Sequence, residues 1–157
     1  MQIKIKLIVF FTIAVLLYGC GYKNIYQGVS LIEIKSIKTT GENQIGNKLK
    51  SQIKLISSNE GINKINLDFN IKKNKRVKEK DITEKVTKYV VTLTVNLKLE
   101  EIKNNAKLEN VFEKDIQYVV AKNHSDTIAK EKEAIKSLTK QISEEVISFL
   151  NIYFRNK

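Results

Sequence analysis

The stretch Ile65-Asn66-Leu67-Asp68-Phe69-Asn70-Ile71-Lys72 decides the fold, because apolar and polar residues alternate along it without a break. A period of two predicts a β-strand with one buried and one solvated face. The segment from Tyr89 to Leu99 alternates in the same way and is rich in β-branched residues, which favour strands. Leu108 to Lys122 predicts a third strand of this run, and the apolar stretch from Leu31 to Lys38 predicts a strand before it.

A first helix is predicted between the strand at 31–38 and the strand that begins near Ile65. Ile45, Leu49, Ile53 and Ile56 recur at steps of four, four and three, which indicates a helix from about Glu42 to Ser57 with one buried face. Thr40 is the expected N-terminal cap of this helix. Gly46 lies inside it, and its lack of a side chain favours close packing on a sheet.

A second, longer helix is predicted from about Thr127 to Tyr153. Its apolar stripe consists of Ile128, Ile135, Leu138, Ile142, Val146, Phe149 and Tyr153. Such a stripe fits either a helix on a membrane surface or a helix that covers the sheet. We favour the second interpretation, because the apolar faces of the strands need a cover.

The resulting order is strand, helix, three strands, helix. A strand–helix–strand start favours a parallel pair, and the short later connections favour an antiparallel meander. We therefore predict an α+β fold (β-α-β-β-β-α), in which both helices pack on one face of a four-stranded mixed sheet. The other face stays polar, and the sheet edges are open to a partner.

The first nineteen residues have the pattern of an export signal. Lys4 and Lys6 precede the twelve-residue apolar run from Leu7 to Tyr18, and no acidic residue occurs before Cys20. Because a membrane-spanning helix needs about 20 apolar residues, we expect the run to be a signal peptide.

The run ends in Leu17-Tyr18-Gly19-Cys20, the pattern of a lipobox, in which a cysteine receives lipid and becomes the new N-terminus. Tyr18 departs from the small residue usual at its position. Cys20 is the only cysteine, so it cannot form an intramolecular disulfide, and acylation explains it better than an ordinary signal peptide with a stray cysteine. More than one acyl chain, palmitate for example, anchors a protein stably. We predict a signal peptide at 1–19, an acylated tether at 20–30 and a single domain at 31–157.

The composition of the segment after the signal favours an anionic partner. From Cys20 onward the chain carries 26 basic and 17 acidic side chains, a formal charge of +9. Such a balance fits a phosphorylated lipid or an anionic membrane face, and export argues against nucleic acid. The abundance of Lys, Ile and Asn also fits a codon bias of an AT-rich genome, which would explain part of the charge.

One segment concentrates this charge. Six cations lie within nine residues, tempered by Glu79 and Asp81, and they are Lys72, Lys73, Lys75, Arg76, Lys78 and Lys80. We expect them at the tip of a hairpin between two strands, where they either capture phosphate groups or form a solvated turn.

The sequence does not predict an enzyme. His124 is the single histidine and has no cysteine near it, whereas a zinc site needs three or four ligands. Ser125 and Asp126 adjoin it, but catalytic triads assemble in space and not from consecutive residues. No phosphate loop or nucleophile-elbow motif is present. We expect no catalytic residue, metal or cofactor, and a lipid-anchored hydrolase that uses these three residues is the least favoured class.

At several points the sequence resembles the LptE (RlpB) family of lipopolysaccharide-assembly lipoproteins. The resemblance rests on Leu17-Tyr18-Gly19-Cys20-Gly21-Tyr22 with Ile25-Tyr26, on Ile45-Gly46-Asn47-Lys48-Leu49, on the strand from Tyr89 to Leu99, and on the helix from Ala129 to Leu150 that opens with Lys130-Glu131-Lys132-Glu133-Ala134. Asn24-Ile25 stands where the family usually has a proline. The resemblance covers nearly the whole chain after the signal, as spacing and element order more than as identity.

The resemblance implies a function as well as a fold. It implies two helices on a four-stranded sheet, lodged as a plug inside an LptD-type outer-membrane β-barrel. It also implies help in folding that barrel and in delivering lipopolysaccharide to the outer leaflet. The expected location is the outer membrane of a Gram-negative envelope, lipid-anchored and facing the periplasm. The alternative is an auxiliary lipoprotein of an ABC-type or intermembrane lipid transporter.

Overall fold

The computed structural model of the protein describes residues 32–155. Its elements are β1 (Ile32–Gly41), α1 (Asn43–Lys54), β2 (Asn63–Lys80), β3 (Val86–Glu101), β4 (Lys107–Val119) and α2 (His124–Arg155). The predicted signal peptide, Cys20 and the tether lie outside the described residues.

The four strands form one mixed sheet in the order β1-β2-β3-β4. β1 pairs parallel with β2, whereas β2–β3 and β3–β4 are antiparallel. The predicted α+β fold and element order are therefore confirmed. The parallel pair requires a crossover, and α1 supplies it.

The core lies between one face of the sheet and the two helices. The alternating residues of β2 and β3 supply its floor, with Phe69, Val91 and Val95 fully buried. Leu138, Ile142, Val146 and Leu150 of α2 are fully buried above them. The predicted stripe is correct along most of α2, but Ile128 at its start is 39% exposed, while Phe154 near its end is buried. The second helix is thus a cover of the sheet, as expected. No helix within residues 32–155 is long and apolar enough to cross a membrane.

The junction between β1 and α1 differs from the prediction. Thr40 does not cap the helix, because β1 continues through it and pairs Thr40 with Asn70. The N-cap position belongs to Glu42, which makes no side-chain capping bond. Gly41 turns the chain from strand to helix at φ 93°, a conformation that favours glycine. The backbone pairing of β1 with β2 extends through Thr40, and this pairing outweighs the preference of threonine for a helix N-cap.

Gly46 packs closely on the sheet, as its place inside the first helix predicted. A Cβ atom there would lie 3.1 Å from Thr39 Cβ in β1 and 3.4 Å from Ile71 Cδ1 in β2. The small residue therefore sets how closely the start of α1 approaches the sheet.

Candidate functional site

The cationic segment lies in a strand and not at a hairpin tip, so that part of the prediction is wrong. Residues 72–80 belong to β2, which runs to Lys80 and pairs with β3 from Lys72↔Thr94 to Lys80↔Val86. The turn is the short segment 81–85. Backbone pairing with β3 extends the strand through a segment that has no apolar alternation of its own.

Strand geometry distributes these cations over both faces of the sheet, because successive side chains in a strand point in opposite directions. Lys73 and Lys75 face the helices, where Lys73 Nζ lies 3.7 Å from Glu42 Oε2 and Lys75 Nζ lies 2.5 Å from Glu131 Oε2. Lys72 and Arg76 therefore lie on the opposite, polar face.

Lys75 belongs to a cluster that joins β2, β3, β4 and α2. Its ammonium nitrogen lies 4.3 Å from the ring centroid of Tyr89 and 5.6 Å from that of Tyr118. The Tyr118 hydroxyl donates a hydrogen bond of 2.8 Å to Glu131 Oε2, the oxygen that Lys75 also contacts. Lys75 lowers the pKa of Glu131 below its usual value, and burial raises the pKa of Tyr118. Such a neutralised ammonium is poorly suited to bind an external anion.

Further pairs surround the turn. Lys80 Nζ contacts Glu84 Oε2 at 2.7 Å, and Lys88 Nζ contacts Glu79 Oε2 at 2.5 Å. Asp81 Oδ1 accepts hydrogen bonds from the Thr83 amide and hydroxyl, which hold the pKa of this carboxyl below its usual value. Three of the six cationic side chains in residues 72–80 form no ion pair within residues 32–155, and all three are exposed: Lys72, Arg76 and Lys78. We call them the strand cations.

A second group of cations, which the sequence analysis did not single out, lies between the helices. Lys48 of α1 and Lys136 and Lys140 of α2 line a cleft of about 520 Å³, together with Glu133 and several Ser, Thr and Gln side chains. We call this space the helix cleft. Ser143 Oγ donates a hydrogen bond to Oε1 of Gln52, one of the lining residues, and this bond joins the two helices. In the sequence, the four-residue spacing of Lys136 and Lys140 indicates that both lie on one side of the second helix. It does not indicate that Lys48 of the first helix lies opposite them.

The outer face of the sheet is mostly polar, as predicted, although Val111 and Val119 of β4 are exposed on it. Ser36 Oγ donates a 2.8 Å hydrogen bond to Asn66 Oδ1, and Thr94 Oγ1 donates one of 2.8 Å to Glu113 Oε2. A depression of about 410 Å³ lies on this face between β1 and β4, with Lys38, Lys98 and Lys107 among its lining residues. Within residues 32–155, β1 and β4 each pair on one side only.

The three residues considered for catalysis are neighbours at the start of α2. His124, Ser125 and Asp126 are the first three residues of α2, and all are exposed. Asp126 Oδ2 accepts a 3.4 Å hydrogen bond from Asn123 Nδ2, which fits a helix N-terminus. In the described part of the chain no group of three or more His, Cys, Asp or Glu residues could hold a metal ion.

Comparisons with known proteins find the fold among bacterial lipoproteins. The chain is similar to a protein described as a lipoprotein from Caulobacter crescentus, with 14% identity, a TM-score of 0.56, and 84% of this chain and 96% of that chain covered. For lipoprotein B from Nitrosomonas europaea the identity is 16% and the TM-score 0.58, over 80% and 87% of the two chains. For a minor lipoprotein from Acinetobacter baumannii the values are 14% and 0.50, over 76% and 94%.

No family model matches the chain, and no curated protein matches it in sequence. At identities this low the shared feature is the fold.

Proposed function

We propose that the protein is an outer-membrane lipoprotein that plugs an LptD-type β-barrel, helps the barrel to assemble and assists lipopolysaccharide transport to the outer leaflet. The observation that carries the proposal is the combination of Leu17-Tyr18-Gly19-Cys20 with this fold. The motif is typical of lipid attachment, and the fold is shared with lipoproteins over most of both chains.

The edges of β1 and β4, which are unpaired within residues 32–155, and the mostly polar outer face support a role in binding a protein partner. Unpaired strand edges offer backbone hydrogen bonds, and a polar face can lie against the polar lumen of a large barrel. In contrast, the helix-covered face is already filled by the protein's own core. We therefore expect the barrel to contact β1, β4 and the outer face of the sheet.

A crosslinked pull-down from membranes, with identification by mass spectrometry, tests the partner. The expected result is one large outer-membrane barrel protein recovered with the acylated chain. The Cys20→Ser variant, which cannot be acylated, is the control and should lose both the acyl mass and membrane retention. Repeated recovery of inner-membrane transporter subunits instead would support the alternative, an auxiliary lipoprotein of a lipid transporter.

The strand cations are the expected electrostatic contact for lipopolysaccharide phosphates. Lysine acts on phosphate as a point charge, and arginine can bind it with two hydrogen bonds. Replacement of Lys72, Arg76 and Lys78 by Gln should weaken lipopolysaccharide binding at low salt. The difference should shrink as salt rises, since exposed charges are screened beyond about 8–10 Å near physiological ionic strength. Equal binding by the variant and the parent at low salt would exclude this contact.

A further inference from the structure

Three acidic residues of the helical layer pair with lysines of the sheet and not with the lysines of the helix cleft. Glu42 contacts Lys73, Glu131 contacts Lys75, and Glu145 contacts Lys114 of β4. Each of these pairs neutralises a strand lysine with a helix-layer carboxylate. These three carboxylates are therefore engaged away from Lys48, Lys136 and Lys140.

The pairing of the cleft residues agrees with this. Within residues 32–155, Lys48 and Lys136 form no ion pair, and Lys140 has one contact of 3.8 Å with Glu144, whose side chain is 48% exposed. The residues that line the cleft therefore include three lysines and one acidic residue, Glu133.

The walls between these charges are mostly carbon, because lysine side chains place four methylene groups below each ammonium. A volume of about 520 Å³ falls within the range of small-ligand sites, roughly 300–1,000 Å³. A wall of carbon atoms contributes little to the binding of a bare anion, and the ammonium groups contribute little to the binding of a neutral lipid.

We propose that the helix cleft binds an anionic amphiphile, with its alkyl chain along the cleft and its phosphate among Lys48, Lys136 and Lys140. This site goes beyond the proposed function, which needs neither the cleft nor its lysines. It is separate from the strand cations, of which Lys72 and Arg76 lie on the opposite face of the sheet.

Isothermal titration calorimetry with octyl phosphate tests the proposal, using the full acylated chain in zwitterionic nanodiscs and empty nanodiscs as the blank. Inorganic phosphate and octyl glucoside, below its micelle concentration, separate the charge from the chain. We expect octyl phosphate to bind at least about tenfold more tightly than either comparison compound.

Two sets of variants locate the site. Lys48→Gln, Lys136→Gln and Lys140→Gln together should weaken octyl phosphate binding by about tenfold, roughly 0.5 kcal/mol for each exposed charge contact. Lys50→Gln, Lys54→Gln and Lys132→Gln remove the same charge from the same helices outside the cleft, and they should change the affinity less than twofold.

Several results would overturn the proposal. These are an absence of octyl phosphate binding, equal affinity for inorganic phosphate or octyl glucoside, equal losses in the two lysine sets, and loss only when the strand cations are replaced. The pull-down measures recovery of the barrel by wild-type protein separately from octyl phosphate binding. Absence of ligand binding in the cleft and absence of the barrel partner are therefore distinguishable results.

Discussion

Replacement of Lys75 by Met should destabilise the protein, because it removes the cation that joins β2 to α2 and to two tyrosine rings. The Lys75–Glu131 pair is partly exposed, with 36% and 21% of the side chains accessible, so solvent screening limits its contribution to about 0.5–1 kcal/mol. The cation over Tyr89 adds about 0.5 kcal/mol. The expected loss in the free energy of unfolding is therefore about 1–1.5 kcal/mol, measured by urea unfolding with far-UV circular dichroism.

A double-mutant cycle isolates the pair. Lys75→Met and Glu131→Gln, singly and together, should give a coupling energy of about 0.5–1 kcal/mol. The matched control is Lys73→Met with Glu42→Gln, a longer contact of 3.7 Å between the same two layers, with expected coupling below about 0.5 kcal/mol. Zero coupling for Lys75–Glu131, or equal coupling in the two cycles, would refute the reasoning.

The pH dependence gives an independent check. The folded-state pKa of Glu131 is lowered, chiefly by its hydrogen bond with Lys75. This contribution is therefore complete above the ordinary glutamate pKa of about 4.3 and is lost as pH falls through the lowered pKa. The difference between wild type and Lys75→Met should be largest near neutral pH and should shrink in acid.

Three further predictions concern packing and chemistry. Gly61→Ala should lower the free energy of unfolding by about 2 kcal/mol or more, because the new Cβ would lie 2.4 Å from the backbone nitrogen of Glu33. Gly46→Ala should change it by less than about 1 kcal/mol, since the higher helix propensity of alanine offsets a 3.1 Å contact with a side chain. Urea unfolding that ranks Gly46→Ala as the costlier change would contradict this. Leu138→Ala should cost about 2–5 kcal/mol and Ile128→Ala under about 1 kcal/mol, and equal losses would mean that Ile128 is buried. His124→Ala should leave unfolding and lipid binding unchanged, and a robust hydrolytic turnover that this change abolished would instead favour the hydrolase hypothesis.

The central strands were predictable because their alternation is local. Ile65 to Ile71 and Tyr89 to Leu99 each show which face is buried without knowledge of a neighbour. The strand at residues 73–80 was not predictable in this way, since nothing in its own pattern distinguishes it from a solvated loop. Its extension depends on pairing with β3, such as Lys75↔Val91, and on Glu131 of the distant helix α2.

The cations show the same limit at the level of the candidate site. Charge density along the chain identified residues 72–80, but it could not show that Lys73 and Lys75 are paired across the layers. The helix cleft could not be predicted from the sequence, because its lysines lie at residues 48 and 136–140. These positions are far apart in the chain, and only the packing of the two helices brings them together. The lipid attachment at Cys20 remains a prediction from the motif, outside the described residues.

The position of α2 after all four strands has a consequence for biogenesis. Ten of its residues are buried, and several of them cover the apolar faces of strands that precede it in the chain. When such a chain emerges N-terminus first from a ribosome or a translocation channel, part of the hydrophobic side of the nascent sheet stays uncovered until the thirty-two residues of α2 follow the strands. During that interval a holding chaperone would have to shield this surface, and a stop codon shortly before residue 124 would leave a product prone to aggregate.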